Sequence, residues 1–214
     1  MVTPHVETPR EEVVNAITHG LGFAASLFGL AYCWQRFGHL PMCSWGTGVF
    51  CWTLALLLLC STSYHACTHP GLKDRLHRCD HAAIYLFIAG SYTPFCLMGM
   101  SPQASSLALT LCWGLGLSGA VFALSGGNRF PSLSLVLYLL MGWMAVVWLP
   151  EWWNHLSPAQ LGWMVGGGLS YTLGSLFFAT HFFRFSHAVW HLFVLGGSGC
   201  HFVSMGLLAD SFRL

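Results

Sequence analysis

Apolar runs of about 20 residues follow one another along this chain, and few charged residues interrupt them. Lys and Arg number 8 and Asp and Glu 7 in 214 residues, so 7 % of the chain is charged. An average soluble domain carries about 25 %. Backbone buried in hydrocarbon must satisfy its own N–H and C=O groups, which leaves helices or a closed barrel. Barrel strands would alternate in segments of about ten residues, a pattern absent here. The chain therefore reads as an all-α membrane protein. Its net charge of +1 gives no case for nucleic-acid binding. Met1 to Glu12 is polar and lacks the basic start and short apolar core of a cleaved signal peptide.

Seven spans are expected, at about 16–37, 43–66, 80–99, 105–124, 132–149, 159–180 and 187–208. Gly38 to Pro41, Pro70-Gly71, Ser101-Pro102, Ser125 to Pro131, Pro150 and Ser157-Pro158 punctuate them. The expected architecture is a seven-transmembrane helix bundle. It forms one domain over 16–208, between a short segment 1–15 and a tail 209–214. The N-terminus and loops two, four and six carry Arg10, Lys73, Arg75, Arg78, Arg129 and Arg184, whereas the other side carries Arg36 and Arg213. The positive-inside rule then places the N-terminus in the cytoplasm and the C-terminus outside, in a cell (inner or plasma) membrane. Trp34, Trp45, Trp52, Trp148, Trp152, Trp153 and Trp163 read as an aromatic belt. The nine cysteines are odd in number and lie mostly inside apolar runs, so they read as small buried hydrophobes rather than a disulfide framework. Pro94 should kink the third span. Gly166-Gly167-Gly168 and Gly196-Gly197 should let neighbouring helices approach closely.

Against this background five polar residues stand out, because ionisable groups within spans are costly and mark function. They are Ser61, His65, Asp80, His187 and His191, each near the same end of its span by the loop-charge topology. Residues four apart share a helix face, so His187 and His191 can grip one ion. His65, with Ser61 one turn deeper, would bring a third imidazole. Three imidazoles with an open fourth position are the donor set of catalytic zinc, which brings bound water to a pKa of about 7. Asp80 could take that water's proton or fix its orientation, and Ser61 could donate to a substrate carbonyl or to the water. The bland alternative is a set of histidines that pack and hydrogen-bond within the bundle. Among the others, His69 reads as a loop residue, His77 as solvated and His81 as a polar helix contact, with metal binding a lesser alternative. His201 reads as a core histidine that could line a cavity. His19 could back the site together with Glu12 and Asn15, although Asn15 could equally cap a helix. His5, His39, His155 and His181 read as surface or interface residues.

These residues carry a family likeness. Glu11-Glu12-x-x-Asn15-x-x-Thr18-His19-Gly20 opens the chain, and Ser61-x-x-Tyr64-His65 follows on the second span. Asp80-His81-x-Ala83-Ile84-Tyr85-x-x-Ile88-Ala89-Gly90-x-Tyr92-Thr93-Pro94-Phe95 covers the third, and Met141-Gly142-Trp143 lies in the fifth. His187-Ala188-x-Trp190-His191-x-Phe193-Val194 and His201-Phe202 complete the set. In this order they resemble the hemolysin III family, bacterial type, within the progestin and adipoQ receptor (PAQR) superfamily. The resemblance implies seven helices and a zinc ion on His65, His187 and His191, with Ser61 and Asp80 beside it. It also implies kinship with metal-dependent lipid amide hydrolases, among them alkaline ceramidases, and with adiponectin receptors. The function expected first is zinc-dependent hydrolysis of a membrane lipid amide or ester, serving membrane-lipid homeostasis. The alternatives are a lipid-sensing receptor with structural zinc and a cytolytic pore.

Overall fold

A computed structural model of the chain describes residues 7–213 apart from His181 and the side chain of Asn128. His5 and His181 lie outside the described residues. Eight α-helices are present among the described residues: α1 Pro9–Phe37, α2 Pro41–Ala66, α3 Pro70–Gly99, α4 Pro102–Leu124, α5 Pro131–Trp143, α6 Ala145–His155, α7 Pro158–Thr180 and α8 Ser186–Asp210. No strand occurs among the described residues. Except for α6 and α8, each helix opens on proline. Proline fits there because its φ is already helical and the N–H it lacks would have no partner in the first turn.

Pro9–Phe37, Pro41–Ala66, Pro70–Gly99, Pro102–Leu124, Pro131–His155 and Ser186–Asp210 are each long and apolar enough to cross a membrane. The helix at the sixth expected span, α7, is 23 residues long but is diluted by Gly166-Gly167-Gly168 and by Ser170, Tyr171 and Thr172. The chain is thus a multi-pass helical membrane protein. Helices outrun the expected spans at three places. Pro150, the expected break after the fifth span, lies inside α6. α1 starts at Pro9 rather than near 16, and α3 starts at Pro70 rather than 80. Hydropathy marks where lipid begins, whereas the backbone ladder begins at a cap. Thr8 caps α1 in a reciprocal box with Glu11, and His69 caps α3 by accepting from Leu72 N–H.

The expected fifth span is two helices, α5 and α6, separated by Met144. Tyr92 explains the break. Its hydroxyl lies 2.9 Å from the Met141 carbonyl oxygen and 2.7 Å from that of Gly142, and donates to both. Those carbonyls would otherwise accept from Ala145 and Val146. Pro94 lies inside α3, which continues five residues beyond it to Gly99.

Apolar burial does not drive helices together in lipid; close packing and hydrogen bonds do. Glycine supplies the closeness. A methyl on Gly90 would collide with Thr53 of α2, and one on Gly119 with Tyr85 of α3. On α7 and α8, Gly167 receives the His201 ring and Gly197 the Tyr171 ring, whereas Gly166 and Gly168 face open space. Of the tryptophans expected in the belt, Trp34, Trp45, Trp52, Trp153 and Trp163 are exposed. Trp152 is a correction: it is buried, and its indole N–H donates to the Phe95 carbonyl at 3.3 Å. Burial of Trp152 wedges α6 against α3.

Candidate metal centre

The helix α1 is inside out for a soluble protein. Its buried stripe is Glu11, Asn15, His19, Gly22, Ser26, Cys33 and Phe37, while Val13, Ile17, Leu21 and Phe28 face outward. Spacings of three and four keep that stripe on one face, and in lipid the polar face is the one that must find partners. The start of α8 supplies one to Glu11, and the end of α2 and the start of α3 supply His65 and Lys73 to the neighbouring Glu12.

His65 closes α2, and His187 and His191 lie one turn apart at the start of α8. The structure brings these three together. Their candidate ligand nitrogens all lie within 4.8 Å of one another. The ring centroids form a nearly even triangle: 5.0 Å from His65 to His187, 5.1 Å from His65 to His191 and 4.7 Å from His187 to His191. Each pair is tilted by 62° to 68°. Packed core rings have no need of such convergence, whereas a shared ion does. One nitrogen is decisive: His65 Nε2 is buried and has no hydrogen-bond partner. Leaving such an atom unpaired costs about 1–3 kcal/mol. A metal ion would remove that cost, so the donor set fits zinc on its chemistry.

The opposite edge of the His65 ring is engaged. Its Nδ1 lies 2.7 Å from Glu12 Oε2, and Lys73 Nζ lies 2.9 Å from Glu12 Oε1. Lys73 also donates to the Tyr64 and Cys67 carbonyls at 3.0 and 3.2 Å, tying down the end of α2. His191 Nδ1 lies 3.1 Å from Thr18 Oγ1, and that hydroxyl is 2.9 Å from the Asn15 carbonyl oxygen. Glu11 accepts Thr8 N–H at 2.8 Å and reaches across to Phe185 N–H at 3.1 Å. Phe185 precedes α8 with φ at 65°, a conformation a bulky residue adopts only when held there.

Ser61 and Asp80 are both buried and line the same cavity as His65 and His187. His191 is buried just behind the cavity wall. The cavity, about 640 Å³, runs from this polar end along α3, α5, α6, α7 and α8 to His201. Most of its length is apolar.

The remaining histidines separate clearly. His19 stacks on His191, with centroids 3.5 Å apart and planes 11° apart, and neither of its ring nitrogens has a partner. Asn15 is fully buried with both amide atoms unpartnered. Capping does not explain it, because Thr8 is the cap. His69 sits in the short α2–α3 connection as expected. His77 corrects its reading as a solvated residue: it stacks on Tyr64 at 4.9 Å and lines the cavity. His81 turns Nδ1 to the His77 carbonyl at 3.1 Å and stands apart from the metal-capable group. His39 and His155 are exposed. Sequence reading missed Lys73 and the role of Thr18. Thr18 lies seven residues after Glu11, two turns along the same face. Lys73, by contrast, sits in a segment mistaken for a loop.

Residues 8–202 match the Haemolysin-III related family. The chain is 38 % identical over 198 residues to the hemolysin-3 homolog of Bacillus subtilis, covering 91 % of this chain and 92 % of that protein. It is 35 % identical over 198 residues to hemolysin-3 of Bacillus cereus, covering 90 % and 89 %. Human monocyte to macrophage differentiation factor is more distant, 27 % identical over 209 residues, covering 91 % and 83 %. A match that runs from the cap of α1 into α8, with the histidine triangle inside it, makes this chain a member of the Haemolysin-III related family.

Proposed function

We propose that the protein is a zinc-dependent intramembrane hydrolase of a lipid amide or ester, acting in membrane-lipid homeostasis. The observation that carries this reading is the triangle of His65, His187 and His191 at the polar end of an otherwise apolar cavity that Ser61 and Asp80 also line. Zinc held by those three rings would polarise a carbonyl and activate water. Asp80, buried beside Ser61, takes up and returns the proton. Ser61 donates a hydrogen bond toward the carbonyl oxygen. The apolar walls hold the acyl chain. Val146 of α6 and Val165 of α7 both line the cavity and are about half exposed, at 55 % and 49 %. A lipid would enter between those helices. By the arginine and lysine bias we place the reactive end toward the cytoplasm.

The test is metal analysis of the purified protein together with hydrolysis of a long-chain lipid amide in mixed micelles. We expect about one zinc per chain and turnover that Asp80→Asn removes. Protein free of metal ends this reading. Turnover or phenotype unchanged in Asp80→Asn supports the alternative of a lipid sensor whose zinc is structural. The names of the two Bacillus relatives favour a further reading, cytolysis. Single-channel recording of the purified protein in a lipid bilayer tests it, and silence there removes it.

A further inference from the structure

The metal-capable group draws its rings from α2 and α8, yet the contacts that orient two of those rings come from α1, which contributes no member of the group. An imidazole has one N–H and one lone pair when neutral, and the partner of one nitrogen dictates what the other can do. At His65 the partner of Nδ1 is a carboxylate, which can only accept. Nδ1 must therefore carry the proton, and Nε2 presents its lone pair. At His191 the partner is Thr18, whose single hydroxyl proton has an acceptor in the Asn15 carbonyl oxygen. The Thr18 oxygen then accepts from His191 Nδ1–H, and again Nε2 is left for the metal.

We propose that α1 is the positioning helix of the metal centre: Glu12, braced by Lys73, and Thr18 lock His65 and His191 in the tautomer and orientation that turn Nε2 to the shared ion. This rests on the metal reading above and adds to it residues that neither bind the ion nor touch substrate. Lys73 matters because a carboxylate tied at one oxygen only could swing away. With both oxygens engaged, the Glu12 plane is fixed and the His65 ring with it. Glu11 contributes in parallel by holding Phe185 N–H, which sets where α8 begins one residue before Ser186 and two before His187. The adjacent acids in the first turn of α1 thus reach one ligand-bearing helix each.

Two measurements test the proposal. The first is zinc affinity by chelator competition on the full chain. Outer partners of metal-binding histidines are worth about 10–100-fold in affinity. Glu12→Gln is therefore expected to weaken zinc by that factor, and Thr18→Val by about tenfold at the lower edge of the same range. Both should leave the metal-free melting temperature near wild type, a combination that a merely structural role would not produce. Glu12→Asp, one methylene shorter, should recover little. The second measurement is imidazole 15N NMR of the metal-free wild type. His65 and His191 are expected with Nδ1 protonated and Nε2 bare. This readout still decides the matter if Glu12→Gln does not fold. Wild-type zinc affinity in Glu12→Gln, or an Nε2–H tautomer at His65, overturns the positioning role. A wild-type protein that takes up no zinc overturns the metal reading itself, and the two failures are distinct.

Discussion

The cavity has an imidazole at each end, and the two ends differ in how many rings converge and in what orients them. At the α1 end, His65 meets a carboxylate and His191 a hydroxyl on their outer edges. His65 Nε2 remains buried with no partner. At the other end, His201 lies ten residues after His191, about 15 Å further along α8. Its Nε2 is engaged by the Met164 carbonyl at 3.0 Å, its Nδ1 is buried without a partner, and its ring rests against Gly167. Phe95 and Tyr171 stand edge-on to it at 5.9 and 5.4 Å, with no second imidazole among the described residues converging on it. The nearby hydroxyls satisfy each other, with Tyr171 Oη and Ser198 Oγ 3.0 Å apart. Histidine on one helix thus serves two purposes. Where several rings converge and charged groups orient them, it is set up to bind. Where one ring meets a backbone carbonyl and aromatic edges, it joins helices.

The strongest way to break this contrast is to remove a ring from each end. His65→Ala and His187→Ala should abolish zinc binding, while His201→Ala should keep about one zinc per chain by elemental analysis. Zinc present at 100 times its Kd stabilises a folded protein by about 2.7 kcal/mol. That increment should persist in His201→Ala and vanish in His65→Ala. Loss of zinc in His201→Ala would mean that the ends are not independent. Next in size is Asp80→Asn. General acid–base groups contribute about 10²–10⁴-fold, so turnover in a lipid amide assay should fall by that factor with zinc content unchanged.

How much of this difference could be read in the sequence depends on which link is asked about. The five residues at the metal-capable end were legible because polar groups in apolar runs are conspicuous and because i, i+4 spacing predicts a shared face. His201 was legible as a core residue by its place deeper in the same span. Lys73 was not, because a basic segment after Pro70-Gly71 has the composition of a loop, and only the structure shows a helix that turns its lysine back to Glu12. The break at Met144 was hidden for a related reason. Its cause is the Tyr92 hydroxyl on α3, 49 residues earlier than Met141, and no local pattern reports a partner so remote. Trp152 looked like its neighbour Trp153, yet one is 1 % exposed and the other 71 %. Two adjacent tryptophans on a helix point about 100° apart, and composition alone does not say which faces inward.

Smaller effects sharpen the contrast at the far end. Gly167→Ala puts a methyl where the His201 ring now lies. Forcing extra bulk into a packed site costs about 1–3 kcal/mol, so the melting temperature should drop while zinc affinity stays at the wild-type value. A fall in zinc affinity would show strain passing down α8 from one end to the other.

The smallest effect should come from the side wall between the two ends. Trp143 of α5 donates its indole N–H to Thr172 Oγ1 of α7 at 3.1 Å, and the Thr172 hydroxyl passes its own proton to the Gly168 carbonyl at 2.8 Å. Trp143, Gly168 and Thr172 all line the cavity, and Trp143 is 46 % exposed on its outer side. Interhelical hydrogen bonds inside membranes average about 0.6 kcal/mol, so Trp143→Phe should barely move the melting temperature. Trp143 ends α5, and α6 begins just after Met144, so lipid that parts α6 from α7 would also pull on this neighbouring bond. KM for the lipid amide should then shift by about threefold, the equivalent of 0.6 kcal/mol, with kcat and zinc content unchanged. A fall in kcat with KM constant would place Trp143 with the reactive end rather than the wall, because the groups that handle the proton and the carbonyl are the ones whose loss is felt in turnover.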